Sequence, residues 1–368
     1  MKILIDLTAL SDNFSGIERY ALNISKEMIL NDSNNDYIII FKNKIHIAYK
    51  IFEGYKNVEI KIIKGDNKLI FNQIILPYNL YKIKADKYVF LAFPSPILFR
   101  KKGIINAIHD LTCWDYPETM KVHSRFYFKK SIKNAVKISE KIITVSEFSQ
   151  KRIQNKFGNE NVFVVYNGIS EVFLKSINEE KTNVNSILEK YKLSKGYIMC
   201  LCTLEPRKNI NLLIDVYVEL RKENVIEHKL VLVGRKGWKV DNLLNGIEEE
   251  YSKDILVTGF VDDEDLPQIY KGAEMFVFPS LYEGFGIPVI EAMFMKVPVI
   301  CSNTSAIPEV VASNKLLFEN NNKVDLKNKI ITLINMNTNE INEVKEQGKM
   351  KANSFKWDNE AIKLLKIL

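Results

Sequence analysis

No run of eighteen uncharged apolar residues occurs anywhere in the 368-residue chain. The longest candidate, Tyr88 to Phe99, is too short to cross a bilayer as a helix and carries two prolines, so no transmembrane helix is expected. No secretory leader is expected either. The chain opens on M-K-I-L-I-D-L, which reads as a strand, and the two observations together predict synthesis and residence in the cytoplasm. Cysteine is scarce, and Cys113, Cys200, Cys202 and Cys301 lie among apolar neighbours. That distribution fits reduced core thiols rather than a disulfide framework. Cys200-Met-Cys202 lacks the spacing of a zinc knuckle and has no second pair, so no metal is expected there. The G-x-G-x-x-G fingerprint is also missing after the first strand, which counts against a nicotinamide or flavin enzyme.

What is present supports two cores. The length exceeds that at which single domains usually split, and 46% of the residues are hydrophobic. The net charge of +7 is uneven: residues 1–172 hold 26 Lys or Arg against 17 Asp or Glu, a net of +9, and the remainder has a net of −2. A basic first half suits nucleic acid, an anionic membrane surface or solubility alone. Composition does not choose among them.

Along the chain, apolar strands alternate with helical spacing. Strand Ile3 to Leu7 leads through a loop to Ile17, Tyr20, Ala21, Ile24 and Met28, a helical pattern, so Gly16 falls at a strand-loop-helix junction. Between Asp36 and Lys102, Y-I-I-I-F, V-E-I-K-I-I and Y-V-F-L-A-F read as strands. The run G-I-I-N-A-I-H-D puts His109 and Asp110 at the carboxyl end of a buried strand, where ligands bind in open α/β sheets. The alternative is that His109 packs and Asp110 caps a turn. Met120 to Ile138 interleaves aromatics with cations. It fits a helix lying on an anionic membrane surface, or a core helix with a solvated basic face. Ser146 is placed to cap the helix after it. The polar stretch from Ser170 to Lys195 puts a linker near residue 173. A second alternating series follows, so the expected fold class is α/β, two Rossmann-like domains with parallel sheets facing a central cleft, spanning 1–172 and 173–350.

The richest chemistry lies in Phe278 to Met293, F-P-S-L-Y-E-G-F-G-I-P-V-I-E-A-M. Pro288 suits a first helical position because its missing N–H would have no partner there. The N–H groups of Gly284, Phe285, Gly286 and Ile287 then precede or open a helix, where donors and dipole attract phosphate. Glu283 comes before the glycines, and Glu291 is expected in the first helical turn. Each residue alone fits an ordinary loop-to-helix junction. Jointly they suit a nucleotide-diphosphate sugar, with the phosphates on the N–H groups and the carboxylates accepting from sugar hydroxyls to either side.

Several segments resemble the retaining glycosyltransferases of family 4, which have the GT-B fold. In the second half these are T-L-E-P-R-K-N (203–209), G-F-V-D-D-E-D-L (259–266), P-S-L-Y-E-G-F-G-I-P-V-I-E-A-M (279–293) and P-V-I-C-S-N-T-S-A-I-P-E-V (298–310). S-G-I-E-R-Y (15–20), H-D-L (109–111) and I-T-V-S-E-F-S (143–149) carry it in the first half. The flavour is that of bacterial mannosyltransferase-like enzymes of surface polysaccharide assembly. The resemblance implies that Glu291 binds the nucleotide ribose and Glu283 faces the donor sugar. Gly284, Phe285, Gly286 and Ile287 would give backbone contacts to sugar and phosphate, and Arg207 and Lys208 would hold the diphosphate. His109 would stand beside the donor sugar, and Gly16 would let the first domain approach the diphosphate and acceptor. His109, Glu283, Arg207 and Lys208 are thus the expected catalytic set. A last segment, 351–368, would cross back onto the first domain.

The implied reaction moves a sugar, with mannose from GDP-mannose preferred, onto a glycan or polyprenyl-linked acceptor with retention of configuration. The enzyme would be cytoplasmic, with a peripheral site on the inner face of the membrane as the alternative setting for its basic first half, and no nucleic-acid partner. Asp263-Glu264-Asp265 matches a metal-binding D-x-D in form, but its setting suits helix capping, so no metal or other cofactor is expected. Lys296, Cys202 and Ala312 stand where the family often has glycine. A sugar-nucleotide epimerase of the same architecture and a non-catalytic basic binding protein are the rival readings.

Overall fold

The computed structural model describes residues 1–11, 16–177, 184–235 and 244–368. They form two compact units, Met1–Gly168 with Lys356–Leu368, and Ile169–Phe355.

The first unit is built on a parallel sheet. Its strands are β1 (Lys2–Asp6), β2 (Asp36–Lys42), β3 (Val58–Ile63), β4 (Lys87–Phe90), β5 (Ile104–Ala107), β6 (Lys141–Thr144) and β7 (Val162–Val164), in the order β3-β2-β1-β4-β5-β6-β7. Central strands covered on both faces need continuous apolar runs, and Tyr37 to Phe41 of β2 and Ile3 to Ile5 of β1 are fully buried accordingly. β1 pairs Ile3 with Tyr37 on one side and with Lys87 on the other. The strand order therefore reverses at β1, and the loops leaving β1 and its neighbours lie where such sheets bind ligands. Helix Gly16–Leu30 covers the sheet with Tyr20, Ala21, Ile24 and Met28, and the C-terminal helix Trp357–Ile367 packs on it.

The second unit repeats the plan with β8 (Tyr197–Leu201), β9 (Leu230–Val233), β10 (Ile255–Gly259), β11 (Ala273–Phe278), β12 (Val299–Asn303) and β13 (Leu317–Glu319). They are all parallel and ordered β10-β9-β8-β11-β12-β13. Here the reversal falls between β8 and β11. The turns after those two strands carry T-L-E-P-R-K-N and the glycine motif.

Both expected boundaries shift by a few residues. The units part after Gly168 rather than after residue 172, because Glu171 and Val172 are the first residues of helix Glu171–Ser176, whose Phe173 packs its ring 5.7 Å from that of Tyr270 in the second unit. The final segment joins the first unit from Lys356 rather than from 351. Phe355 stays behind, edge-on to Phe285 at 5.3 Å, and its carbonyl accepts from the Ile169 N–H at 3.0 Å.

Ser146 caps helix Glu147–Phe157, its Oγ accepting from the Ser149 N–H at 3.1 Å. The stretch from Met120 forms helix Val122–Ile138. Ile132 and Ala135 join a core cluster with Ile108, Leu111 and Ile153, while Lys130, Lys133 and Lys137 are exposed. Its C-terminal half is thus a core helix with a solvated basic face. Two helical stretches, the 3-10 turn Ile47–Phe52 and Lys68–Lys82, lie between Asp36 and Lys102, where only strands are expected. Among the described residues, no helix is long and apolar enough to cross a membrane.

Candidate active site

The loop after β11 is pinned at nearly every residue. Ser280 O accepts from Ser302 Oγ at 2.5 Å, and Leu281 O from Thr304 Oγ1 at 3.1 Å. The Leu281 N–H donates to Arg207 O at 2.9 Å, and the Glu283 N–H to Ser305 Oγ at 2.8 Å. Gly286 then takes φ = +121°, and a Cβ there would lie 2.9 Å from Ile307 Cδ1. No other residue type fits that conformation and that gap without strain. Helix Ile287–Phe294 follows with Pro288 in its first turn. Its ladder begins with the Val289 and Ile290 N–H groups on Gly286 O, so the N–H groups of Gly284, Phe285, Gly286 and Ile287 precede it. Glu291 is the fifth helical residue rather than a member of the first turn, because the loop runs on to Gly286 before the helix starts.

Glu283 is the centre of a charged cluster. Lys208 Nζ lies 2.6 Å from its Oε1, and Arg207 Nη1 3.2 Å from its Oε2. Arg207 is held further by Tyr282 O at 2.6 Å and by Glu205 Oε1 at 2.8 Å. Both cations sit on the short turn Pro206–Lys208, closed by Asn209 at φ = +53°. Burial pushes the Glu283 carboxyl up, but Lys208 and Arg207 outweigh it and hold the group at about 2. Lys208 also stands 5.3 Å over the Phe278 ring. Residues to which the resemblance gives separate tasks are therefore joined in one ion-paired unit. Glu205 was not singled out in the sequence; its place two residues before Arg207 was the available signal.

Glu291 is buried and accepts from the Tyr270 hydroxyl at 3.1 Å, and the same hydroxyl lies 3.2 Å from Pro288 O. Nothing in the sequence pairs Tyr270 with Glu291, since the contact joins two helices. Within Asp263-Glu264-Asp265, where capping is expected, Asp265 does not cap. Asp265 precedes helix Leu266–Gly272 without a side-chain cap. Its carboxylate accepts instead from Lys190 Nζ at 2.6 Å and from Tyr191 OH at 2.8 Å, and Lys190 also reaches Asp262 at 3.1 Å.

In the first unit, His109 follows β5. Its Nε2 lies 2.8 Å from Leu91 O, so that nitrogen carries the proton, since a carbonyl only accepts. Burial pushes the imidazole below its usual value, against the opposing pull of the Leu91 carbonyl and Asp110. The Tyr20 ring meets it edge-on at 5.0 Å, and Trp357 backs Tyr20 at 6.0 Å. Gly16 opens the helix that carries Tyr20 and is exposed. Residues 12–15, Ser15 of S-G-I-E-R-Y among them, lie outside the described residues, as do Lys236, Gly237 and Trp238.

Of the three replaced glycines, Lys296 adopts φ = +59°. The helix ends in a Schellman arrangement, Val297 N–H to Ala292 O at 2.9 Å and Lys296 N–H to Met293 O at 3.0 Å. Cys202 is buried beyond β8 and Ala312 is exposed.

Comparison with known proteins adds the family. A family model described as Glycosyl transferases group 1 matches residues 185–357. Over 263 residues the chain is 33% identical to O-antigen chain mannosyltransferase B of Escherichia coli, covering 71% of this chain and 68% of that protein. It is 28% identical over 231 residues to the serotype-specific mannosyltransferase WbdA of E. coli, which accounts for 61% of this chain but only 28% of that longer protein. Among solved structures, HepE of Anabaena in complex with UDP and glucose superposes with a TM-score of 0.72 at 17% identity, over all of this chain and 98% of that one. The architecture of the two units is that of the GT-B glycosyltransferases. The chain is a transferase that belongs to the group 1 glycosyl transferases.

Proposed function

We propose that the protein transfers mannose from GDP-mannose, with retention of configuration, to a glycan or polyprenyl-linked glycan acceptor during assembly of a bacterial surface polysaccharide. The observation that carries this reading is the convergence of Arg207, Lys208 and Glu283 at the loop before helix Ile287–Phe294. As the sugar leaves, it gains oxocarbenium character and negative charge grows on the diphosphate. Two held cations and the N–H groups of Gly284 to Ile287 are suited to take up that charge, at about 3 to 4 kcal/mol per donor. A diphosphate draws the cations toward itself and loosens their hold on Glu283, whose carboxylate then accepts from donor-sugar hydroxyls. Glu291, steadied by Tyr270, accepts from the ribose. The roles beside the donor sugar for His109 and beside the diphosphate for Gly16 belong to the same proposal. The mannosyltransferases among the relatives support the choice of sugar.

Transfer is further proposed to proceed without a metal ion, supported by the ammonium that already engages Asp262 and Asp265. The same proposal sets the work in the cytoplasm, at the inner face of the membrane, a reading that the net charge of +9 over residues 1–172 supports. The test is a donor screen: thermal stabilisation and hydrolysis with GDP-mannose, UDP-glucose and UDP-N-acetylglucosamine, with and without chelator. Preference for GDP-mannose and indifference to chelator are expected. Preference for a UDP-sugar overturns the donor assignment, loss of activity restored by manganese overturns metal independence, and conversion of donor to an epimer without any acceptor overturns transfer.

A further inference from the structure

The stretch Lys68–Lys82 is apolar on both sides. One side, with Phe71, Leu76 and Leu80, is packed in the core against Leu4, Ile38 and Phe99. The other presents Ile70, Ile74, Tyr78 and Tyr81, one helical turn apart and 48%, 61%, 60% and 46% exposed. Isolated exposed apolar residues are ordinary, but a continuous stripe of this kind marks a surface that something covers.

Cations rim the stripe. Lys68 and Lys82 close its two ends, Lys82 Nζ lying 4.0 Å from the Tyr78 ring centroid. Lys101 Nζ stands 5.9 Å over Tyr81 and is fixed to Tyr81 O at 3.1 Å and Ile83 O at 2.9 Å. The Tyr81 hydroxyl donates to the carbonyl of the exposed Leu98 at 3.0 Å. Gln73 donates to Tyr127 OH at 3.1 Å, which joins the stripe to helix Val122–Ile138. There Phe126 is exposed, and the sequence from 121 to 137 holds six Lys or Arg and no Asp or Glu.

We propose that this stripe is the surface through which the first unit lies on an anionic lipid bilayer, with Ile70, Ile74 and Tyr78 in the acyl boundary and the exposed Lys68 and Lys82 reaching headgroup phosphates. The proposal rests on the membrane setting given above and assigns it to Lys68–Lys82 rather than to the basic helix alone. Charge complementarity selects the occupant. Apolar side chains between cations match the layered chemistry of an anionic interface, where lysine stems lie along the hydrocarbon and the ammonium groups rise to phosphate. A second copy of this chain would bring the same positive rim and be repelled.

The test is co-sedimentation of the full chain with phosphatidylcholine vesicles, with and without phosphatidylglycerol. Wild type should bind the anionic vesicles at least about tenfold more tightly than the neutral ones, and Ile70→Ser/Ile74→Ser/Tyr78→Ser should lose at least about tenfold of that binding. The variant should keep the wild-type circular dichroism spectrum. As an independent reading, a tryptophan introduced by Ile74→Trp should be quenched by brominated lipid. Equal binding to both vesicle types, undiminished binding by the triple variant, or an unquenched tryptophan overturns the proposal. So does a dimer in sedimentation that the triple variant dissociates, which would make a second copy the occupant. Turnover of GDP-mannose is measured separately without vesicles: its failure with vesicle binding intact overturns the proposed function and leaves the surface standing.

Discussion

Lys208 reaches across 75 residues of sequence to place its ammonium 2.6 Å from Glu283 Oε1. Both side chains are largely buried, at 12% and 10% exposure. The lysine therefore has two tasks, compensating a buried carboxylate and offering positive charge to a departing diphosphate. Lys208→Ala is expected to lower turnover at least about tenfold and to cost on the order of 3 kcal/mol in stability, because it strips a buried anion of a partner. Adding Glu283→Gln should restore much of that stability and none of the turnover. Urea unfolding and single-donor kinetics on the same preparations separate the two effects. Near-normal turnover in folded Lys208→Ala would sink the role in transfer.

Acid should weaken this cluster in a defined window. The Glu283 carboxyl is held at about 2 against an ordinary value of 4.5. A carboxyl lowered on folding stabilises the native state fully above 4.5 and loses that contribution as the pH falls from there through 2. The contribution is on the order of 3 kcal/mol. Unfolding free energies measured across that range should fall for the wild type, and the fall should be shallower for Glu283→Gln. Parallel curves for the two proteins would show that Glu283 carries no such linkage.

Glu291 and Glu283 have different surroundings, and different consequences follow. Glu291 meets a tyrosine hydroxyl, whereas Glu283 meets two cations. Glu291→Ala should mainly weaken nucleotide binding, by about tenfold for one lost charged hydrogen bond, with Tyr270→Phe doing the same to a smaller degree. Glu283→Ala should mainly slow transfer. Calorimetric titration with GDP and turnover at saturating donor provide the two readouts. Identical effects of the two alanines on affinity and rate would refute the division.

The strands were legible because buried parallel strands need unbroken apolar runs, and D-Y-I-I-I-F and Y-I-M-C-L could serve nowhere else as well. The helix after the glycine loop was legible from Pro288, but its start depends on Gly286 turning at φ = +121° against Ile307. That single turn moved Glu291 out of the first helical turn. Local pattern favours capping at Asp265. Its true partner, Lys190, is 75 residues away, and no local rule reaches that far. Lys68–Lys82 is not legible as a helix for a related reason. It is apolar on two faces, so its spacing shows no amphipathic period.

Lys296 offers a test of stability alone. It occupies the left-handed residue of a Schellman helix end at φ = +59°, where a side chain costs about 1 kcal/mol or more relative to glycine. Its Nζ lies 2.5 Å from Glu346 Oε1, but that pair is about half exposed on each side, and exposed pairs contribute from nothing to about 1 kcal/mol. Glycine also carries a larger entropy loss on folding. The strain term should prevail, so Lys296→Gly is expected to raise unfolding stability by up to about 1 kcal/mol. Turnover should be unchanged, because the charged cluster at Glu283 lies at the other end of the helix. Lys296→Ala should not be stabilising, since it removes the ion pair and keeps the strain. If alanine stabilises as much as glycine in urea melts, backbone strain at Lys296 is not the cause.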